Sequence, residues 1–342
     1  MANNSTNFVV SSLADYVATN RDIIVNAFGL LGGGTRSRVT TLTGIKYKEK
    51  LNYLEIEPEL QSGEDCEFTA QEGGLVLTQR EIEVAPIKVD IDLCPRTLRK
   101  KYAQYLIRMN AVAEGERIPF EKEIVDGLVT RINAKIEKLM WQGSKSSLDT
   151  DLKWIDGYLT MLATDSDAIA VTGLGTSAYE GILKVYMALP EEALKRGAEI
   201  YVSPAIFRAF MQDMVVKNYF HYAGANNANP EEFILAGTDV KVVKTEGLAG
   251  SLTIVGTFPA NLVYGTDMEG DEEDLDIWYS KDDRVFKFEA LWNSGVQYYF
   301  PNMIAFGTFG SAPVIGAGVN ESLAKIAGAV NEDGQIETHP NE

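Results

Sequence analysis

The residue types that most often carry chemistry are scarce in this chain. Its 342 residues include two histidines, His221 and His339, and two cysteines, Cys66 and Cys94. A Ser–His–Asp or Cys–His site would have to be built on His221, since His339 falls in the last stretch of the sequence. No GxSxG turn or cysteine partner accompanies it. Between Phe220 and Tyr222, His221 reads as a packing residue. The cysteines form no CxxC pair, metal spacing or disulfide framework. Gly173, Gly175 and Gly181 in TGLGTSAYEG hint at a phosphate loop. The third glycine is late for GxGxxG and no GK[ST] follows, so the stretch reads as a flexible connection.

The densest polar feature is DMEGDEEDLD, with carboxylates at Asp267, Glu269, Asp271, Glu272, Glu273, Asp274 and Asp276. Hard cations take several oxygen ligands, but Gly270 falls at the fourth place of the run where an EF-hand loop has its glycine at the sixth. Three readings stand: a solvated acidic loop, a cation site, or a contact with basic residues of another copy. The paired carboxylates of a glycosidase have candidates in any acidic protein, and nothing singles out a pair. No catalytic, cofactor-binding or metal-binding residue is assigned, and the expectation is a protein that is not an enzyme.

Elements of unusual length would position these residues. PFEKEIVDGLVTRINAKIEKLMWQG, 119–143, reads as an amphipathic helix. Ile124, Leu128, Ile132 and Ile136 recur at four-residue spacing, widened by Val125, Val129, Leu139 and Met140. Pro119 suits the first turn, Gly143 the stop, and at 1.5 Å per residue the helix is ~36 Å long. Residues 44–93 read as a long two-stranded ribbon. Ile45, Tyr47, Leu51, Tyr53, Leu54 and Ile56 lie on the outgoing strand. On the return strand Ile82 and Val84 alternate, and the pattern resumes one step shifted after Pro86 at Ile87, Val89, Ile91 and Leu93. Such a shift at a proline marks a bulge or a kinked edge. A fold near residue 69 puts Cys66 at the tip and Cys94 at the base, too far apart for a disulfide. A ribbon of this length is marginal alone in water and needs a surface to lie on.

The remaining segments fill in around these two. Residues 1–42 read as an arm without a core of its own, broken at Gly32, Gly33 and Gly34. PRTLRKKYAQYLIRMNAVAE (95–114) is a second helix candidate, and SKSSLDTD marks a boundary. Residues 152–262 read as a compact α/β unit. Its helices lie around Trp154–Leu162, at Tyr179–Met187 and after Pro204, and its strands at Ile169–Val171, AEIYVS, GTDVKVVKTEG and GSLTIVG. Residues 263–310 read as strands LDIWYS, RVFKFEALW and GVQYYFP, with KDD as a hairpin turn. The tail 311–342 reads as mobile or peripheral.

A formal net charge of −18 argues against a nucleic-acid grip, which needs clustered Lys and Arg. Residues 1–50 are mildly basic, with Arg21, Arg36, Arg38, Lys46, Lys48 and Lys50 against Asp15, Asp22 and Glu49, so sections of opposite sign could meet between copies. An apolar content of 45% supports a proper core. No apolar run is long enough to span a membrane, and MANNSTNFVV lacks the regions of a signal peptide, so the expected place of synthesis and residence is the cytosol.

The order of these parts resembles the major capsid protein of tailed bacteriophages, the HK97-like fold. The resemblance rests on the hairpin at 44–93, the helix at 119–143, and the run from AEIYVSPAIFRAFMQDMV (198–215) to GTFPANLVYGTDMEGDEEDLDIWYSKDDRVFKFEALWNSGVQYYFP (256–301). It implies an α+β fold with an N-arm (1–42), an E-loop hairpin (43–94), a peripheral domain with a spine helix (95–150), an axial domain (151–262), a β-rich return (263–310) and a C-terminal tail (311–342). It also implies self-assembly into hexamers and pentamers of an icosahedral head enclosing double-stranded DNA without sequence-specific binding. The implied partners are a separate scaffolding protein, a portal, a head maturation protease and, in some heads, decoration proteins. The implied location is the virion, assembled in the host cytoplasm, with no membrane and no cofactor. Some members of the family crosslink an E-loop Lys to a neighbour's Asn. Lys46, Lys48 and Lys50 lie near the hairpin's base, and no residue trio supports that chemistry. The alternatives are an encapsulin-type nanocompartment shell and, from another class, a carboxylate-dependent hydrolase.

Overall fold

The structure is a computed structural model and describes residues 34–56, 75–94, 120–217, 232–235, 237–267, 274–280, 282–283 and 285–310. The chain divides into two compact units, one of residues 1–160 and 262–299, the other of 161–261 and 300–342.

In the first unit, helix α1 (Phe120–Gln142) occupies the span that the apolar spacing predicts, less one residue at each end. Val129, Ile132, Ile136, Leu139 and Met140 are buried along it. A five-stranded sheet is built on β12 (Val285–Tyr298). The C-terminal half of β12 pairs antiparallel with β10 (Leu262–Gly265), which pairs parallel with β1 (Thr40–Leu42). Its N-terminal half lies between β11 (Asp274–Ser280) and β4 (Ala85–Leu93), both antiparallel. Ser280 opposes Val285, so the expected hairpin forms, with Asp282 and Asp283 in its turn.

The ribbon differs from the sequence expectation. β2 (Lys48–Ile56) pairs with β3 (Leu75–Glu83) alone, and β4 leaves it to join β12. The shift around Pro86 is a change of partner, not a bulge in one ribbon. Gly295 shows why the change falls there. A Cβ at Gly295 would overlap the Glu83 carbonyl oxygen and lie 3.0 Å from the Val84 Cα, so the chain crosses β12 where no side chain stands in its way. Gly295 also sits inside one continuous 14-residue strand where Asn293, Ser294 and Gly295 read as a turn between two.

The second unit holds a six-stranded sheet in the order β5 (Ile169–Val171), β13 (Ala305–Thr308), β9 (Thr253–Thr257), β6 (Glu199–Val202), β8 (Lys241–Lys244), β7 (Glu232–Ile234). Helices α3 (Ala178–Ala188) and α5 (Pro204–Val216) pack on it, Ile182, Val185 and Phe210 meeting Ile200, Val202, Val242 and Ile254 in one core. Ser177 and Ser203 cap these helices, and Pro204 takes the first turn of α5, where its missing N–H costs nothing. The short helix α4 (Glu191–Lys195) follows α3. Helix α2 (Tyr158–Thr164), which starts later than Trp154 and Ile155 suggest, contains the boundary between the units at Thr160.

Candidate assembly surfaces

Three places in the first unit stand out as surfaces that a shell contact could use: two segment roots and one sheet face. The first is the root of the N-terminal segment. The Thr35 N–H and hydroxyl both donate to the Glu137 carboxylate at 3.0 Å, and the Trp141 indole N–H donates to the Thr35 hydroxyl at 2.8 Å. Glu137 is 7% exposed, a carboxylate taken out of water and held by donors from a segment over 100 residues earlier. The fit is close: Gly34 has φ +84°, and a Cβ there would lie 2.5 Å from the carboxylate. The buried Arg36 guanidinium then lies 4.8 Å from the ring centre of Tyr264 on β10. The sequence reading missed Glu137. The signal was Trp141, nine residues and so half a turn off the stripe of Ile132, with Glu137 one turn before it.

The second place is the root of the β2–β3 ribbon. Ile45, Leu51, Ile82, Val84 and Val263 form a small buried cluster under it. Outside, Glu83 accepts from Lys145 at 3.1 Å and faces Lys48, which also meets Glu81 at 3.2 Å. The hydrogen bond from Lys145 is the main cause holding the Glu83 carboxyl below its ordinary range, against a smaller upward push from burial. The hydrogen bond to Glu81 raises Lys48. Lys46, Lys48 and Lys50 lie at the base of the ribbon, as expected, and Tyr47 beside them is 69% exposed.

The third is the outward face of the β4–β12–β11 sheet. Its inner face buries Ile87, Phe288, Ala290 and Trp292. The register sets Glu289 directly opposite Asp90 and Lys287 between Asp92 and Trp278. A cleft of about 270 Å³ opens among these side chains with Trp278 exposed on it, and Leu291 is exposed elsewhere on the face. Like charges directly opposite on neighbouring strands are unfavourable. The face is acidic, partly apolar and uncovered by the described residues.

The places that sequence reading weighed for chemistry are accounted for as follows. The Gly173–Gly175 loop does lead into a helix, but the Asp213 carboxylate occupies that helix's N-terminal end, accepting from the Ser177 hydroxyl at 2.7 Å and the Tyr179 N–H at 3.2 Å. A carboxylate already there leaves no anion site. Cys94 is exposed just after β4. His221, His339, Cys66 and the acidic run from 268 to 273 lie outside the described residues. Among the described residues, no group of three or more His, Cys, Asp or Glu could hold a metal ion, and no helix is long and apolar enough to cross a membrane. Tyr158 is pushed well above the ordinary tyrosine range by burial, its hydroxyl donating to the Val263 carbonyl at 2.9 Å.

No family model matches the chain, and no curated relative does. Solved structures do. A chain of the satellite phage P4 procapsid, solved with its size determination protein, superposes with a TM-score of 0.53 at 10% identity over 85% of this chain and 98% of that one. A virus-like particle from Pyrococcus furiosus gives 0.46 at 10% identity over 86% and 97%, and Gordonia phage Cozz 0.48 at 9% over 81% and 86%. The fold is thus α+β and resembles the HK97-like capsid architecture.

Proposed function

We propose that this chain is a structural shell subunit, the major capsid protein of an icosahedral phage head, assembling as hexamers and pentamers around double-stranded DNA. The observation that carries the reading is the match to a procapsid chain over nearly its whole length. On this reading residues 1–42 are the N-arm, the hairpin beginning at β2 is the E-loop, α1 is the spine helix, and the two units correspond to peripheral and axial domains. The surfaces above then have a use. Beyond its buried root the two-stranded ribbon gains support by lying across a neighbour, and the acidic, Trp278-bearing sheet face is a surface that gains from being covered. Each apolar side chain buried there contributes about 1.5–3 kcal/mol. The role is structural and uses no catalytic residue.

The test is to express the full chain with any scaffolding partner encoded beside it and examine the product by sedimentation velocity and negative-stain microscopy. Closed shells or rings of five and six are expected. A discrete small particle that stays small with the scaffold present would sink the reading. Shell contents and diameter separate a DNA-filled phage head from an encapsulin-type compartment.

A further inference from the structure

Among the described residues, four at one place in the first unit each have a buried side-chain atom without a hydrogen-bond partner. They are the Thr266 hydroxyl, one Asp267 carboxylate oxygen, the Trp292 indole N–H and the Ser294 hydroxyl. Thr266 is 5% exposed, Trp292 8% and Ser294 0%, so bulk water does not supply the missing partner. The strand register explains why they gather. The last rung between β10 and β12 joins Gly265 to Gly295. One step further Thr266 stands opposite Ser294. One more sets Asp267 opposite Asn293, whose side-chain amide donates to Asp267 at 3.3 Å. Directly opposed residues share a face, and Trp292, two positions before Ser294, shares it too. Asp267 alternates to the other face and stands apart from this group. On the far side of Ser294 lies Ala85 of β4. Ala85, Ser294 and Thr266 therefore form a row of three short side chains across three strands, beside the larger pair of Ile87 and Trp292. The Thr266 backbone is already satisfied, its N–H donating to the Leu42 carbonyl at 2.9 Å and its carbonyl accepting from the Ile45 N–H at 3.0 Å. Only its side chain lacks a partner.

We propose that Thr266, Ser294 and Trp292 hold one buried water molecule. Opposed residues on neighbouring strands have Cβ atoms about 4.5–5.5 Å apart, and the two hydroxyls do not bond each other, a geometry that one water spans. The water accepts from the indole N–H and from one hydroxyl, and donates to the other hydroxyl. Three bonds is the usual number for an internal water. Every unpartnered atom of the group is satisfied in this way, and two hydroxyls with an indole N–H carry no charge that would call for an ion. The bound water ties β10 to β12 one step past their last rung, next to the start of β4. This inference does not depend on the shell reading.

The test has two arms, both on the full chain. Thr266→Val keeps the shape of the side chain and removes the hydroxyl. With a water bound, Thr266→Val and Ser294→Ala each raise the unfolding equilibrium constant about fivefold in chemical denaturation. The double variant raises it by less than the product of the two, because either loss alone already loosens the water. A dry site gives the opposite sign, since removing a buried hydroxyl that has no partner stabilises the fold. A constant for Thr266→Val equal to or below that of the wild type therefore overturns the inference. The second arm is a density map of the wild-type chain at a resolution that shows other internal waters, and it decides the matter if a variant fails to fold. A solvent peak within hydrogen-bond reach of both hydroxyls and the indole N–H is expected. A map in which the two hydroxyls bond each other directly, or in which no peak lies between them, overturns the inference whatever the variants do.

Discussion

The buried carboxylate of Glu137 is where a single side chain does the most in this molecule. It satisfies both donors of Thr35, and Thr35 in turn accepts from Trp141. Glu137→Ala leaves a buried N–H and hydroxyl without acceptors, which costs about 1–3 kcal/mol. The expected outcome is a lowered denaturation midpoint reported by Trp141 fluorescence, with a smaller loss for Glu137→Gln, which keeps an acceptor oxygen. Equal stability in both variants would refute the clasp. Gly295→Ala makes a different kind of demand. The neighbour is backbone, which cannot swing aside as a side chain can, so overpacking of about 1–3 kcal/mol is expected. Amide exchange should rise at Glu83–Ala85 before it rises in α1. At Glu83 the effect depends on pH. Its folded pKa lies below the free value of 4.5 because Lys145 bonds the charged form. The stabilisation is therefore present above 4.5 and is lost as pH falls through the lower folded value. Both side chains are more than a third exposed, so screening keeps the pair within about 0–1 kcal/mol. Exchange at the ribbon root should accelerate with acidification below that range, and Glu83→Gln should flatten the dependence.

Among the elements, the three-stranded β4–β12–β11 face opposes two carboxylates that one lysine partly compensates. Asp90 and Glu289 are directly opposed across the ladder while Lys88 meets Asp90 at 2.8 Å, so relieving the opposition is worth at most roughly 0.2–1 kcal/mol. Glu289→Gln should leave the melting temperature of the free subunit close to wild type, because Lys88 already offsets the opposition, while reducing the assembled fraction where the face receives a basic neighbour. A variant that assembles as well as wild type would remove Glu289 from the interface. What the sequence disclosed about these elements follows from the range of the forces involved. Helix α1, helices α3 and α5 and the β11–β12 hairpin were legible because their signals are local: periodicity, a proline at a helix start, a turn triplet. The partner of β4 was not, because one alternating strand fits a ribbon or a sheet equally well and the choice is made at Gly295, some two hundred residues later. The same glycine hid the continuity of β12, since Asn293–Ser294–Gly295 has turn composition and the tertiary contact overrides it. Likewise Glu137 was marked only indirectly, by Trp141 one turn away, because its partner Thr35 lies outside the helix.

For the molecule as a whole, a charge of −18 on each copy must be reconciled with packing many copies side by side. Two electrostatic contributions of opposite sign act over different distances. The mutual repulsion of subunits is long-ranged and is felt at ~0.01 M salt, where the screening length is about 30 Å, and is much reduced at ~0.15 M, where it is about 8 Å. Attraction between opposite charges on neighbouring copies acts at contact, so it survives that screening and is weakened only when the screening length approaches ~3 Å, near 1 M. Apolar burial across the ribbon and sheet face is not lost with added salt. Assembly measured by light scattering should therefore rise from ~0.01 to ~0.15 M salt and then fall towards ~1 M. A wild-type yield that falls steadily from the lowest salt would mean that attraction between opposite charges, not repulsion between like-charged subunits, dominates encounter, and the acidic excess would then have to be neutralised in the shell by a cationic partner.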